Sequence, residues 1–198
     1  MSPAMAYRNE VLPMKRIIIH WTAGTHNVSK TDKKHYHYII GGDGVVVSGN
    51  MPVSANESTK TPYAAHTRGA NTGSIGVAFA AMRGAKERPF SAGKYPITEK
   101  QVEAMTRLVA DLCEQYNIPV TPQTVLSHAE VQPTLGIKQR GKWDVTWLPT
   151  MDKVGDPVDV GNALRQMVRD QNTIKNETPV GAGLIAALAA FLAKWIKK

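Results

Sequence analysis

Short apolar runs bounded by turn residues recur along the first half of the chain and predict strands. Residues 16–22 (Arg-Ile-Ile-Ile-His-Trp-Thr) form a β-branched run that ends in polar residues, which is typical of a buried strand. Residues 36–40 and 45–47 flank an Asp-Gly pair at 43–44. Because both residues of such a pair tolerate positive φ, the pattern predicts a β-hairpin. The polar segment 25–34 between these strands predicts a loop with at most a turn of helix.

Two amphipathic helices are predicted among further strands. Residues 98–101 (Thr-Glu-Lys-Gln) have the spacing of a capping box and precede a helix with one apolar face. Asp-Pro at 156–157 opens a second amphipathic helix, with proline at its tolerated first position. The apolar runs 74–80 and 125–128 predict core strands. The order of elements indicates an α/β fold with a mixed central β-sheet flanked by helices.

The character of the sequence changes near its C-terminus. Residues 171–179 are polar and end in proline, which predicts a linker after a domain at 1–170. Within 180–198, large apolar residues follow one helical stripe, small residues occupy the other side, and three lysines stand near the end. This pattern predicts an apolar, cationic C-terminal helix that contacts an anionic membrane surface, either lying on it or spanning it. A last core helix docked on the domain is the alternative.

Composition narrows the partners and the type of site. The 198 residues carry a formal charge of +8, which favours anionic partners such as nucleic acid, anionic lipid or bacterial cell-wall polymers. The cations are scattered and not interleaved with aromatic residues, so we expect no nucleic-acid binding. A single cysteine, Cys113, excludes an internal disulfide and a four-cysteine zinc site. Residues 1–13 have no signal-peptide core, so we expect synthesis in the cytosol without Sec-type export.

Two of the six histidines stand where strands end. His20 is in the first apolar run and His128 directly follows the last one, and strand ends hold side chains more rigidly than loops do. Asp144 lies in a Lys-Trp-Asp segment. Two imidazoles and one carboxylate would leave a fourth tetrahedral position for water, which is the arrangement of a catalytic zinc. The spacing of the two histidines is not a motif in itself.

Five blocks, taken in order, resemble the zinc-dependent N-acetylmuramoyl-L-alanine amidases of phage lysozyme type, which are related to the peptidoglycan recognition proteins. The resemblance covers roughly residues 15–149. Each block alone is weak, and five in the family's order are specific. The blocks are IIIHWTAG (17–24), YHYIIGGDG (36–44), AAHTRGANTGSIGV (64–77), SHAE (127–130) and KWD (142–144).

The resemblance implies three zinc ligands, two catalytic groups and two substrate-binding residues. The zinc ligands would be His20, His128 and Asp144. The catalytic groups would be Tyr36 and Lys142, and the substrate-binding residues would be His66 and Asn71. The lysine and the tyrosine would stabilise an oxyanion and manage the proton for the leaving amine. A packing role for the tyrosine and an ordinary exposed charge for the lysine are the alternatives.

The implied activity is hydrolysis of the bond between N-acetylmuramic acid and L-alanine in peptidoglycan, with Zn²⁺ as cofactor. We expect a phage or prophage endolysin with antimicrobial, wall-degrading action, made in the cytosol and acting at the cell wall after release. A cytosolic amidase that recycles wall fragments is one alternative. A non-catalytic recognition module is another, although such modules usually lack the third ligand. A membrane-permeabilising protein with a vestigial amidase is the fourth possibility.

Overall fold

The computed structural model describes residues 14–177, in which helices pack on a five-stranded sheet. The strands are β1 (Arg16–Trp21), β2 (Tyr38–Ile40), β3 (Val46–Ser48), β4 (Ser74–Phe79) and β5 (Val125–Ser127). The helices are α1 (Lys30–His35), α2 (Glu99–Gln115), α3 (Val131–Leu135) and α4 (Pro157–Glu177). Short 3₁₀ turns cover Val53–Glu57 and His128–Glu130.

The sheet is mixed, with strand order β3-β2-β4-β1-β5. β2 and β3 form the predicted antiparallel hairpin, whereas β2–β4, β4–β1 and β1–β5 are parallel. The predicted fold class, a mixed sheet flanked by helices, is therefore confirmed. Because the carboxyl ends of parallel strands meet at one edge of a sheet, the residues that end β1 and β5 come together.

Successive residues of β1 face opposite sides of the sheet, and this alternation separates the core from the candidate site. Ile17, Ile19 and Trp21 belong to the main apolar core, to which α2 and α4 also contribute. Ile18 belongs to a smaller apolar cluster on the other side of the sheet. Since side chains in a strand alternate with period two, His20 lies on the side of Ile18. The candidate metal ligand is thus turned away from the main core.

The capping box predicted for α2 is present and also fixes the helix to the sheet. The Thr98 hydroxyl accepts from the Gln101 N–H, and the Gln101 side chain accepts from the Thr98 N–H. The Gln101 side-chain amide then donates to the carbonyl oxygens of Ile40, at 2.8 Å, and Ala80, at 3.0 Å. The first turn of α2 is thereby held at the carboxyl ends of β2 and β4.

Two predicted boundaries are wrong near α1. The strand expected at 36–40 starts at Tyr38, because Tyr36 caps the end of α1 instead. The segment 25–34 includes the start of this six-residue helix, whose N-terminus is closed by a capping box between Ser29 and Asp32. Both residues accept backbone hydrogen bonds there, so a polar sequence forms a helix at this point.

The predicted linker at 171–179 is also wrong in part, since α4 continues through Glu177. Glutamine, asparagine and threonine cost at most about 0.7 kcal/mol each in a helix, and the first residue that a helix interior excludes is Pro179. The predicted C-terminal helix at 180–198 lies outside the described residues, as do residues 1–13. Among the helices that the structure describes, none combines the length and the apolar character needed to cross a membrane.

Candidate metal centre

Strand register brings the two candidate histidines side by side. Ile19 of β1 pairs with Ser127 of β5. The residue that follows each of them in the chain is a histidine, so the pairing brings these two histidines together. His20 is still within β1, and His128 starts the 3₁₀ turn after β5. Their ring centroids are 4.6 Å apart. The parallel pairing of β1 with β5 therefore joins two residues that are 108 positions apart in the chain.

Asp144 completes a triangle of donor atoms. Nδ1 of His20, Nδ1 of His128 and Oδ2 of Asp144 are each 3.1 Å from the other two. Ligands at 2.0–2.1 Å from a tetrahedral zinc are separated by about 3.3 Å, so the triangle has the size that such an ion requires. The three residues are buried, with exposed fractions of 0%, 4% and 7%. The Ala129 N–H donates to the Asp144 carbonyl oxygen and ties the two segments together.

The protonation states of His20 and Asp144 favour cation binding near neutral pH. Burial lowers the pKa of His20 to about 4, against the opposing effect of its hydrogen bond with Asp144. Burial alone would raise the pKa of Asp144, but hydrogen bonds with His128 and His20 outweigh it and lower that pKa to about 2. A neutral imidazole and an ionised carboxylate are the forms that bind metal ions.

The two candidate catalytic groups lie beside this triangle. The half-buried Tyr36 ring has its centroid 5.2 Å from that of His20. Burial and the Asp144 charge raise the pKa of the Tyr36 hydroxyl, which therefore stays neutral. Lys142 is exposed, and its charge contributes to lowering the pKa of His20. It lines a surface pocket of about 380 Å³. Their catalytic roles stay predictions.

His66 and the side-chain oxygen of Asn71, two residues predicted to bind substrate, make hydrogen bonds within the protein. His66 is 8% exposed, and its Nδ1 lies 3.2 Å from His20 Nε2. Asn71 Oδ1 accepts from the backbone N–H groups of His66, at 3.0 Å, and Thr67, at 2.8 Å. The structure thus places both residues behind a candidate ligand, and substrate binding by them stays a prediction.

Further residues support the ligands and were missed in the sequence. Gln139 Oε1 lies 2.9 Å from His128 Nε2. Glu130, two residues after His128, forms a buried two-point ion pair with Arg165 of α4, with Nη2 to Oε1 at 2.9 Å and Nη1 to Oε2 at 3.2 Å. The Ser-His-Ala-Glu spacing is itself a capping-box signature and could have indicated Glu130. Nothing in the sequence marks Gln139.

Comparison with solved structures found chains of limited similarity, among them an amidase, a PlyL mutant and a phage endolysin. The structure of the E. coli N-acetylmuramyl-L-alanine amidase AmiD, in complex with an anhydro-N-acetylmuramic acid peptide, is 22% identical over 65% of this chain and 52% of that chain, with a TM-score of 0.44. A mutant of PlyL is 18% identical over 80% of this chain and 86% of that one, with a TM-score of 0.48. The Ph2119 endolysin, from a Thermus scotoductus bacteriophage, is 20% identical over 65% and 83%, with a TM-score of 0.42.

Sequence comparison identifies the family. No curated protein sequence matches the chain. The sequence model of the N-acetylmuramoyl-L-alanine amidase family matches residues 10–145, which is more than two thirds of the chain. This segment contains His20, His128 and Asp144, the three residues of the donor triangle. The chain therefore belongs to the N-acetylmuramoyl-L-alanine amidase family and is an enzyme of that activity.

Proposed function

We propose that the chain is a zinc-dependent amidase that cleaves the N-acetylmuramoyl-L-alanine bond of peptidoglycan, and that it serves as a phage or prophage endolysin. The observation that carries the chemistry is the triangle of His20, His128 and Asp144, whose donor atoms are mutually 3.1 Å apart. Family membership supplies the scissile bond. The lytic role rests on the sequence, through its cationic charge and its apolar, lysine-ended C-terminal segment.

The donor set fits zinc. Two imidazole nitrogens and one carboxylate oxygen are ligands that zinc accepts, and three protein ligands leave a position for water or substrate. When bound, zinc polarises the scissile carbonyl and lowers the pKa of a coordinated water to ~7. Among the described residues this is the one group of three or more histidine, cysteine or acidic side chains with metal-binding geometry.

Tyr36 and Lys142 have complementary tasks in the proposed reaction. Water adds its oxygen to the carbonyl carbon and gives up a proton, and negative charge develops on the carbonyl oxygen. The C–N bond then breaks as the L-alanine nitrogen takes up the proton that the water released. The Tyr36 hydroxyl is neutral and donates a hydrogen bond to the developing oxyanion. The exposed Lys142 ammonium adds positive charge at the mouth of the site.

The test uses the full chain with two substrates, intact purified peptidoglycan and soluble muropeptides. With zinc, we expect release of new L-alanine amino termini from intact wall material, and loss of this release when the metal is chelated. Asp144→Ala should abolish both zinc binding and cleavage. A chain that binds the wall without cleaving it would be a recognition module. Cleavage confined to soluble fragments would indicate a recycling amidase and overturn the lytic role.

A further inference from the structure

Both candidate histidine ligands present the same ring nitrogen to the metal position. Nδ1 of His20 and Nδ1 of His128 face Asp144, so each Nε2 points away from it. For Nδ1 to offer a lone pair, the proton of each neutral ring must be on Nε2. Each Nε2–H then needs an acceptor, since an unsatisfied buried donor costs about 1–3 kcal/mol.

The hydrogen bonds behind His20 fit the tautomer that a metal-bound His20 requires. His66 Nε2 is 3.4 Å from the Ser74 carbonyl oxygen, which can only accept, so the His66 proton is on Nε2 and its Nδ1 is an acceptor. That Nδ1 lies 3.2 Å from His20 Nε2, and the Thr67 hydroxyl lies 3.3 Å from the same nitrogen. The hydroxyl and His66 Nδ1 are themselves 2.8 Å apart. When its Nδ1 binds the metal ion in place of a proton, His20 can therefore donate from Nε2 to these acceptors.

The hydrogen bonds behind His128 lead to the same tautomer by another route. The side-chain amide nitrogen of Gln139 donates to the carbonyl oxygens of Arg68, at 2.9 Å, and Ile137, at 3.3 Å. With its nitrogen committed to two carbonyls, Gln139 turns its oxygen toward His128 Nε2, 2.9 Å away. When its Nδ1 binds the metal ion, His128 can therefore also donate from Nε2, to Gln139 Oε1.

The hydrogen bonds behind both candidate ligands lead to neighbouring residues of one short loop. The acceptors behind His20 belong to His66 and Thr67, and the carbonyl that orients Gln139 belongs to Arg68. Asn71 holds this loop, since its side-chain oxygen accepts from the N–H groups of both His66 and Thr67.

Gly76 of β4 allows the loop to lie close to the sheet. A Cβ at Gly76 would lie 2.6 Å from the His66 ring, so only glycine leaves room for that ring. The His66 ring therefore packs directly against the backbone of β4, on the side of His20 that faces away from the metal position.

We propose that the loop 66–71 is a common brace for both metal ligands, and that Asn71 and Gln139 are positioning residues for zinc binding. This proposal rests on the proposed zinc site. It assigns Asn71 a role in which substrate is not contacted. Because partners of this kind typically change metal affinity by 10–100-fold, the effect should appear in zinc binding itself.

The experiment measures the zinc dissociation constant of the full chain by competition with a chelating dye, using matched pairs of variants. Asn71→Ala and Gln139→Leu remove the acceptors, and each should weaken zinc binding by about 10-fold or more. Asn71→Asp and Gln139→Glu keep an acceptor oxygen and should stay within about 3-fold of wild type. Arg68→Ala is the control within the loop, because its side chain is exposed and only its carbonyl takes part.

The outcomes separate this proposal from the proposed function. If the wild-type chain does not bind zinc, the proposed zinc site is wrong. If wild type binds zinc and Gln139→Leu and Asn71→Ala bind it equally well, the brace is wrong. An increased KM for peptidoglycan fragments with unchanged zinc affinity in Asn71→Ala would restore its predicted substrate role. Should Asn71→Ala fail to fold, the zinc affinities of Gln139→Leu and Gln139→Glu still test the proposal, because the loop supports His128 through Gln139.

Discussion

Buried histidines make the stability of the metal-free protein depend on pH. Burial lowers the pKa of both His20 and His37 to about 4, with hydrogen bonds to Asp144 and Asn56 opposing the shift. An unfolded histidine titrates near 6.5, so between these pH values the unfolded chain binds more protons than the folded chain. Stability is therefore complete above about pH 6.5 and is lost as the pH falls toward 4, by up to about 1.4 kcal/mol per unit for each histidine.

Urea unfolding of the metal-free chain at several pH values between about 7 and 4.5 checks this prediction. His37→Asn is the informative variant, because it removes one titrating group that does not belong to the donor triangle. Its stability should change less steeply with pH than that of wild type. Equal slopes for the two proteins would contradict the assignment of a depressed pKa to His37.

Replacing the two candidate catalytic groups should separate chemistry from metal binding. Lys142→Ala and Tyr36→Phe should retain zinc and the fold, since neither residue belongs to the donor triangle. Turnover of peptidoglycan should fall, by ~10²-fold or more for the lysine if it stabilises the oxyanion. Lys138→Ala, an exposed lysine on the same segment, serves as the control. Wild-type rates in both variants would leave the two residues with structural roles only.

At the level of residues, the sequence indicated the candidate ligands better than the residues that support them. His20 and His128 were predictable because a strand end is visible as an apolar run. Asp144 stands in an irregular segment, where its Lys-Trp-Asp surroundings made it a candidate and the resemblance to the amidases implied its role as third ligand. Gln139 could not be predicted, because an amide in a loop carries no pattern and its partner is 11 residues away in the chain.

Among the elements, α4 supports the candidate metal centre although its residues lie outside the five blocks that resemble the amidases. Arg165 reaches from α4 to Glu130 in the turn that carries His128, and both side chains are almost fully buried. Arg165 Nη1 also donates to the Val125 carbonyl oxygen of β5, at 2.8 Å. Removing one partner of such a pair typically costs about 3–5 kcal/mol, because the other charge is left buried and alone.

Replacing Gly161 of α4 by alanine should destabilise the protein, although helix propensity alone predicts stabilisation. Alanine normally stabilises a helix interior by up to about 1 kcal/mol relative to glycine. A Cβ at this position would overlap the Glu130 carboxylate, so Gly161→Ala should instead cost about 1–3 kcal/mol. Chemical denaturation measures the difference. Ala163→Gly reports the ordinary propensity in the same helix, and stabilisation by Gly161→Ala would show that α4 does not press on Glu130.

Element boundaries were less predictable than element types. Both long helices begin where their cap signals predicted, at Glu99 and Pro157. The short helix α1 was predicted as at most one turn in a loop, because its sequence is polar and has no apolar stripe. α4 extends seven residues into the predicted linker, because its composition is compatible with both a helix and a linker.

For the whole chain, the separate role predicted for residues 180–198 can be tested by truncation. All the candidate ligands and catalytic groups precede residue 150, so deletion of this segment should leave hydrolysis of isolated peptidoglycan nearly intact. Binding to anionic liposomes should fall, because the apolar stripe and the terminal lysines are removed.

Replacing the lysines alone tests the electrostatic part of this prediction. Substitution of Lys194, Lys197 and Lys198 by glutamine should weaken liposome binding more at low salt than at high salt. Exposed charges are screened beyond about 10 Å at ~0.1 M salt. A truncated chain that is insoluble, or inactive on isolated wall material, would show that the segment belongs to the folded domain.

The pairing of β1 with β5 has a consequence for the time at which the enzyme becomes active during its synthesis. His20 and Asp144 are 124 residues apart, and at 5–20 residues per second a ribosome needs roughly 6–25 s to pass from one to the other. The nascent chain lacks a complete ligand set throughout that interval. Arg165, which anchors the turn of His128, is made later still. If the donor triangle is the zinc site, zinc-dependent amidase activity cannot precede the synthesis of Asp144, and the support that Arg165 gives to the turn of His128 comes only after that.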